Sequence, residues 1–339
     1  MRYIRTLIIM ISLSLFLIPI NLKSAFDRTF MGNARYIALS GAYAGLSDDE
    51  ASIFVNPAGI TRINYIAAGI TGGDMYAGLD FGTLIQGNFS GAVNLEKYGA
   101  VGLGINHFSV GVDDNISYSE SLYVLSYGYM LSPGKSIGIN FKIPRWSSDL
   151  EGNTLYSIPT TAIGIDVGIV IIENDRFSMG AVIYDINQPK IGYTGVVQPF
   201  SAKFGFSYST LKNFLIFDVD ANYINDNIDL AGGAEVLFNK SIFVRAGIYL
   251  REITDGMDFS LGAGYSLNLN KYIINFDYGF RYSITDLTGN FGTHFFTTSI
   301  KFNSAKSKKI NSASKTGFTK SEEEEAESMD DMPEEELGD

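Results

Sequence analysis

The stretch Lys271-Tyr-Ile-Ile-Asn-Phe-Asp-Tyr-Gly-Phe-Arg-Tyr282 carries an aromatic or aliphatic side chain at every even position. Its odd positions include Asn275, Asp277 and Arg281. Successive side chains of a β-strand point to opposite faces, so this period of two predicts a strand with one apolar and one polar face. The same alternation is found in residues 163–169, 215–223 and 259–268.

Fourteen such segments follow one another, each long enough to cross a bilayer at a tilt. Their connections alternate between short turns, such as Asn239-Lys240, and longer loops, such as residues 186–199. An even number of strands with short turns on one rim is typical of an outer-membrane β-barrel, and a soluble exported β-protein is the alternative. The predicted strands are residues 64–78, 82–94, 97–110, 119–132, 135–147, 160–172, 175–185, 198–209, 212–223, 227–238, 241–252, 257–269, 271–283 and 292–302.

The polar faces of the predicted strands combine glycines with charges of both signs. Glycine suits the inside of a barrel that holds another part of the chain. We therefore expect the polar faces to line a lumen, where the charges pair across strands and with a plug; contact with a ligand is the alternative role. The charged residues expected to line the lumen are Asp166, Lys203, Asp218, Glu235, Arg245, Asp277 and Arg281.

Aromatic residues near the predicted strand ends match the girdles that mark the two membrane interfaces. The last strand, His294–Phe302, ends on an aromatic residue and resembles the terminal signal read by the barrel-insertion machinery. That machinery and outer-membrane lipid are therefore expected partners. The aromatic residues are Tyr98, Tyr129, Tyr208, Tyr223, Tyr265, Tyr272, Tyr282 and Phe302.

The chain ends predict export and a polar tail. Arg2 and Arg5 precede an apolar run at residues 7–20, so residues 1–25 read as a signal peptide, with an uncleaved membrane anchor as the alternative. Residues 303–339 hold five lysines and eleven acidic residues, a composition that predicts a disordered acidic periplasmic tail. This tail is a candidate docking segment for a periplasmic protein.

Between the signal peptide and the first strand, residues 26–63 predict a small helical hatch. Ser47 and Glu50 have the spacing of a capping box, which predicts a helix from about Asp48 to Val55. Asn56 then caps a second short helix with proline at its first position. The hatch is too small for a core of its own, and a fourteen-stranded barrel (residues 64–302) leaves space that a plug must fill.

The residues Asn33-Ala-Arg and Asn56-Pro57-Ala58-Gly59 resemble the FadL/TodX superfamily of outer-membrane transporters for hydrophobic compounds. The resemblance implies a hatch that plugs the barrel, with Asn56, Pro57, Ala58 and Gly59 gating the route of the ligand. It further implies passive transport of a small hydrophobic ligand, such as a long-chain fatty acid, across the bacterial outer membrane.

The PorV-like branch of the same superfamily is similar in these residues and serves protein secretion. A structural or secretion-associated barrel that binds partner proteins is therefore the alternative function. The chain is also shorter than typical FadL transporters and carries the acidic tail. These differences argue against a large extracellular ligand site.

The sequence contains no strong motif for catalysis or metal binding. The two histidines, His107 and His294, are isolated, and the absence of cysteine excludes thiol chemistry and His/Cys metal sites. The sequence has neither a nucleophile elbow nor a phosphate-binding glycine loop in a strand-to-helix context. We therefore expect no catalysis, no cofactor, no metal and no nucleic-acid partner.

Overall fold

The computed structural model describes residues 28–79, 82–112, 116–150, 160–191, 195–210, 214–224, 226–253, 255–285 and 289–302. Fourteen long antiparallel strands form one closed barrel, together with the two-residue strand Thr160–Thr161. The long strands are β1 Ile66–Met75, β2 Thr83–Asn94, β3 Ala100–Val112, β4 Ile116–Ser132, β5 Lys135–Leu150, β6 Gly164–Ile172, β7 Phe177–Tyr184, β8 Ser201–Thr210, β9 Leu215–Ile224, β10 Asn227–Phe238, β11 Ile242–Arg251, β12 Gly256–Leu269, β13 Tyr272–Ser283 and β14 Thr293–Phe302.

The barrel closes where β1 pairs with β14, with Ile66 opposite Phe302 and Asp74 opposite His294. Closure removes the unpaired strand edges that an open sheet would leave. The prediction of fourteen antiparallel strands is confirmed. One error is the strand predicted at residues 160–172, which is interrupted before Gly164 where Pro144, a residue without an N–H, lies across from it.

The short connections fall on one rim, as predicted. The turns after β4, β10 and β12 contain at most three residues, and β14 ends and β1 begins at the same rim. The connection predicted as tight at Leu95-Glu96 is longer, because a 3-10 helix at Glu96–Tyr98 precedes β3. The opposite rim carries the longer loops, including a small hairpin formed by Lys190–Ile191 and Val196–Val197.

The outside of the barrel is apolar. Ile70, Leu103 and Phe296 are 63%, 58% and 63% exposed, and each shares its strand face with other aliphatic or aromatic residues. Inward faces carry serine, threonine, asparagine and charged residues that are buried. This distribution is the inverse of a water-soluble protein and is suited to hydrocarbon. The aromatic residues predicted near strand ends are on this outward face, and all but Tyr282 are clearly exposed: Tyr98, Tyr129, Tyr208, Tyr223, Tyr265, Tyr272 and Phe302.

The helices are short and most of them precede β1. They are α1 Ala34–Ala38, α2 Ser52–Val55 and 3-10 helices at Arg28–Phe30, Pro57–Arg62 and Glu96–Tyr98. No helix in the described ranges is both long and apolar enough to span a bilayer. The predicted signal peptide and acidic tail lie outside the described residues.

The helix predicted from Asp48 is wrong at its start, since α2 begins at Ser52 and has no side-chain cap. The Ser47 hydroxyl donates instead to the carbonyl oxygen of Tyr43, at 2.8 Å. Asp48 binds Arg35, and Glu50 accepts a hydrogen bond from Asn33. The two side chains that the capping box would need, Ser47 and Glu50, are therefore bonded to Tyr43 and Asn33 instead.

The second predicted cap is confirmed. The Asn56 side-chain oxygen accepts a hydrogen bond from the N–H of Ala58, at 3.2 Å, and Pro57 occupies the first position of the 3-10 helix. This local motif depends only on neighbouring residues, so the sequence alone is sufficient to predict it.

Replacing Ile70 by arginine is expected to lower the free energy of unfolding by about 2–4 kcal/mol, because Ile70 lies mid-strand on the outward face and a charge near the bilayer centre loses its hydration. Denaturant titration of the barrel in phospholipid vesicles measures this loss. Ile70→Leu is the control and should cost less than about 1.5 kcal/mol. Equal losses for the two variants would show that this face does not meet hydrocarbon.

Candidate functional site

The candidate site is the contact between the inward faces of the strands and residues 28–63, here called the amino-terminal segment. Three apolar clusters form there in an otherwise polar interior, the smallest of which joins Ala42 to Ala231 and Tyr249 of the wall. In another, Ile53 and Ile60 pack with Leu122 of β4. In the third, Leu39 shares a cluster with Phe295 of β14. The segment therefore brings apolar side chains into the middle of a polar-lined barrel.

Asn56 forms the corner between α2 and the following 3-10 helix and is fully buried. Its amide nitrogen donates to the carbonyl oxygen of Ala44 at 3.2 Å and to that of Ile169 in β6 at 3.0 Å. With the cap to Ala58, this one side chain makes hydrogen bonds through both its donor and its acceptor atoms. Asn56 thus links three parts of the chain: the segment's own bend, the run before it and the barrel wall.

Glycines in the wall allow the segment to approach this closely. A Cβ atom at Gly168 would lie 2.2 Å from the Asn56 side-chain oxygen, and one at Gly180 would lie 1.9 Å from the carbonyl oxygen of Ala44. At Gly138 it would lie 2.3 Å from the main chain at Pro57 and Ala58. The prediction that inward glycines make room for another part of the chain agrees with these distances.

Arg35 is the centre of the strongest polar contact between segment and wall. Its guanidinium donates two hydrogen bonds of 2.8 Å to the carboxylate of Glu235 and one of 2.6 Å to Asp48. Glu235 also accepts from Arg245 at 2.5 Å, and Arg245 donates to Asp277 at 2.6 Å. Three residues predicted to line the lumen, Glu235, Arg245 and Asp277, are therefore joined in one network.

A second network holds the main chain of the segment. The carboxylate of Asp220 accepts hydrogen bonds from the N–H groups of Tyr43 at 2.8 Å and Ala44 at 3.0 Å. Lys203 lies 3.7 Å from the same carboxylate and donates to the carbonyl oxygen of Gly41 at 3.0 Å. Lys203, another predicted lumen residue, is thus occupied by the segment and by its neighbouring strand.

A third network surrounds the first described residue. Arg28 forms an ion pair with Asp185, and Lys142 lies 2.8 Å from the same carboxylate. Lys142 also lies 2.6 Å from Asp166, the predicted lumen residue of β6. Asn140 donates to Asp166 at 3.2 Å.

The remaining predicted lumen residues are placed apart from these networks. Arg281 donates to Asp258 at 2.9 Å, and its guanidinium lies 4.4 Å from the ring centre of Tyr249. Asp218 is buried opposite Ser207 and takes part in none of the ion pairs above. The predicted lumen residues are therefore divided among several contacts and do not converge on one ligand-sized site.

Sequence reasoning missed Arg28, Arg35 and Tyr43 in the segment, and Asp185 and Asp258 in the wall were not predicted either. The signal for Arg35 was available, since it is a lone basic residue in a run of small and apolar residues. Its partner Glu235 is 200 positions away, and no spacing rule connects the two.

Glu50 and Asp48 have opposite electrostatic environments. Burial and the adjacent charge of Asp49 outweigh the opposing charge of Lys301 and raise the pKa of Glu50 to about 7. Burial also acts to raise the pKa of Asp48, but Arg35, Lys301 and Arg62 outweigh it and hold that pKa well below its usual range. Glu50 is 1% exposed, and its second carboxylate oxygen has no hydrogen-bond partner among the described residues.

A small cavity of about 30 Å³ lies between the segment and the wall, near the rim that carries the long loops. Its lining combines aromatic and apolar side chains with two cations, and includes Arg28, Met31, Tyr36, Phe54, Lys203 and Tyr249. Within the described ranges, no group of three or more acidic or histidine residues is arranged to hold a metal ion.

Together, the closed antiparallel sheet, apolar exterior and polar interior define a membrane-type β-barrel. No protein-family model and no curated protein sequence matches the chain. Solved structures do: the CymD monoaromatic hydrocarbon channel has a TM-score of 0.59 at 13% identity, with 81% of this chain and 99% of that chain covered.

Two further structures agree with this result. The Pseudomonas putida toluene transporter TodX has a TM-score of 0.60 at 10% identity, covering 81% of this chain and 99% of its own. A Pseudomonas aeruginosa FadL homologue has a TM-score of 0.58 at 13% identity, covering 80% and 98%. The chain therefore has the fold of the FadL and TodX structures, as the resemblance at Asn56-Pro57-Ala58-Gly59 implies.

The raised pKa of Glu50 predicts a pH-dependent stability. Its protonated form is favoured in the folded state, so its contribution is complete below an ordinary pKa of 4.5 and is lost as the pH rises through about 7. Glu50→Gln mimics the protonated form and should keep the contribution at all pH values. Its gain in unfolding midpoint over the wild type should therefore be larger at about pH 8.5 than at about pH 5.

Urea unfolding in detergent micelles at the two pH values measures this gain, and Asp48→Asn is the control. Because the pKa of Asp48 is lowered, its contribution is present throughout this pH range. Asp48→Asn should therefore lower the midpoint equally at both pH values. A Glu50→Gln gain that does not change with pH would contradict the assignment.

Proposed function

We propose that this chain is a passive outer-membrane transporter of small hydrophobic molecules, with the amino-terminal segment as its plug. The observation that carries the proposal is the fold shared with the CymD monoaromatic hydrocarbon channel and the toluene transporter TodX. The apolar exterior supports a bilayer location, and the predicted signal peptide supports export. Aromatic hydrocarbons and long-chain fatty acids are the substrate classes to test first.

Passage requires part of the segment to move. The cavity beside it measures about 30 Å³, whereas a cavity that binds benzene in a well-studied protein measures about 150 Å³. A hydrophobic ligand therefore needs space that the segment now occupies. The apolar clusters around Ile53 and Leu39 offer the surface along which such a ligand would be solvated.

The two halves of the segment are held by different forces. The half that contains α1 is fixed by charged contacts such as Arg35 with Glu235. The stretch from Asn56 to Arg62, here called the second half, contacts the wall through neutral hydrogen bonds, such as the 2.8 Å bond from Thr61 to Ser136. The charge of Arg62 is used within the segment, where its guanidinium donates to the carbonyl oxygens of Gly45 and Leu46. Neutral hydrogen bonds are weaker than charged ones by roughly twofold. We therefore assign the gating movement to the half that begins at Asn56 and Pro57.

This assignment can be tested with a reversible cross-link, because the chain has no native cysteine. In the variant Thr61→Cys/Ser136→Cys, oxidation should tie the second half to the wall, since the two native side-chain oxygens lie 2.8 Å apart. Uptake of toluene or oleate by liposomes containing the oxidised variant should fall to that of protein-free vesicles. Reduction should restore it.

Two matched cross-links complete the experiment. Thr71→Cys/Thr297→Cys links two strands of the wall, whose hydroxyl oxygens are also 2.8 Å apart, and should leave uptake unchanged. Ser40→Cys/Ser260→Cys ties down the ion-paired half, again across 2.8 Å, and should also leave uptake unchanged. Equal uptake by the oxidised and reduced Thr61/Ser136 variant would contradict a gate in this half.

A secretion-associated barrel is the second candidate function. The observation that favours it is the set of ion pairs that fixes Arg28, Arg35 and Lys203 in place, because a barrel that only scaffolds partners needs no moving plug. Affinity capture with the full chain and with a chain lacking residues 303–339 separates the two. A docking protein should lose its partner with the tail, whereas a transporter should keep full uptake.

A further inference from the structure

The rim that carries the short turns has a regular pattern of positive charge. Each of the five short turns that the structure describes in full has one exposed basic residue, either within it or, for Lys135, at the start of the next strand. None of the five forms an ion pair within the described part of the chain, and three acidic residues, Glu96, Glu173 and Asp175, are exposed at the same rim. The basic residues, here called the cation ring, are Lys97, Lys135, Arg176, Lys240 and Lys271.

The opposite rim has the opposite sign. In the described parts of the long loops, Asp226, Glu252 and Asp255 are exposed, and Lys190 is the exposed basic residue. In the strands that lead to this rim, Asp74 of β1 and Arg145 of β5 are also exposed, one of each sign. A general enrichment of lysine at both membrane interfaces would not give this asymmetry. The excess of exposed positive charge therefore lies at the rim that carries the short turns.

The cation ring lies at the level of the aromatic girdle. The Lys97 ammonium is 5.0 Å from the ring centre of Tyr98, which is 67% exposed. Lys271 directly precedes the outward-facing Tyr272, and Lys240 follows the exposed Phe238 by two residues. Aromatic girdles lie at the depth of the lipid headgroups, and a lysine there extends its aliphatic stem along the apolar surface and its charge toward the headgroup.

We propose that the cation ring binds the phosphate groups of anionic phospholipid, with phosphatidylglycerol as the ligand to test. The ring distributes single charges around the perimeter, an arrangement that fits separate headgroups better than one compact polyanion. Basic residues at a membrane surface attract anionic lipid and lose that attraction within a Debye length. The proposal depends on the barrel spanning a bilayer and does not depend on transport.

The acidic tail is the competing occupant, since it begins after Phe302 at the same rim. Its first charged residues are Lys306, Lys308 and Lys309, which have the same sign as the ring. Its acidic run begins only at Glu322. A basic run adjoining the membrane is typical of segments that bind anionic lipid. The order of charges in the sequence therefore favours lipid as the partner of the ring.

Electron paramagnetic resonance with spin-labelled lipids tests the proposal on the full chain in phosphatidylcholine bilayers. The wild type is expected to associate with spin-labelled phosphatidylglycerol about threefold more strongly than with phosphatidylcholine at low salt. Lys135→Gln/Lys240→Gln/Lys271→Gln should abolish the preference. Lys190→Gln, on the other rim, should keep it, and high salt should weaken it.

Heat-modifiable migration in electrophoresis verifies that each variant is folded. If the triple variant does not insert, lipid association is measured in the single variants Lys135→Gln and Lys240→Gln instead. Equal association of both lipids with the wild type overturns the proposal. So does a preference that appears only after residues 303–339 are removed, because the tail would then be the natural occupant of the ring. Loss of the preference in Lys190→Gln also contradicts it.

Discussion

The structure depends on one constraint: the polar interior of a closed, lipid-facing barrel must find hydrogen-bond partners away from bulk water. The wall supplies only some of them. Glu235 is shared between Arg245 of the wall and Arg35 of the amino-terminal segment, and Asp220 accepts hydrogen bonds from the main chain of the segment. A buried carboxylate without such partners costs several kcal/mol. The segment is thus needed to neutralise the interior that surrounds it.

The gate that we propose rests on the same constraint. Charged contacts hold the part around α1, and neutral hydrogen bonds with glycine-lined contacts hold the corner at Asn56. A ligand that competes with neutral bonds needs less interaction energy to open a path than one that must break ion pairs. Under the function that we propose, this difference allows passive transport through a tightly packed barrel.

The sequence was sufficient to predict the strands because the two faces of each one meet such different surroundings. A period of two in residues 272–282 reports that difference directly. The period of two shows that a side chain, such as that of Asp166 or Lys203, faces the lumen. It does not identify the partner of that side chain, because the partner depends on the register of the strands and, for Lys203, on a segment over a hundred positions away. The helix expected from Asp48 begins only at Ser52. The carboxylates of Asp48 and Glu50 bind Arg35 and Asn33 instead, which are 13 and 17 positions away and which no local capping rule considers.

The central claim is that residues 28–63 occupy the lumen of a membrane barrel, and ion conductance in planar bilayers tests it most directly. The full chain should insert without opening a steady ion-conducting pore. A chain that keeps the signal peptide but lacks residues 28–63, verified as folded by heat-modifiable migration, should conduct in large, stable steps. Steady porin-like conductance by the full chain, or a folded deletion variant that stays closed, would contradict the claim.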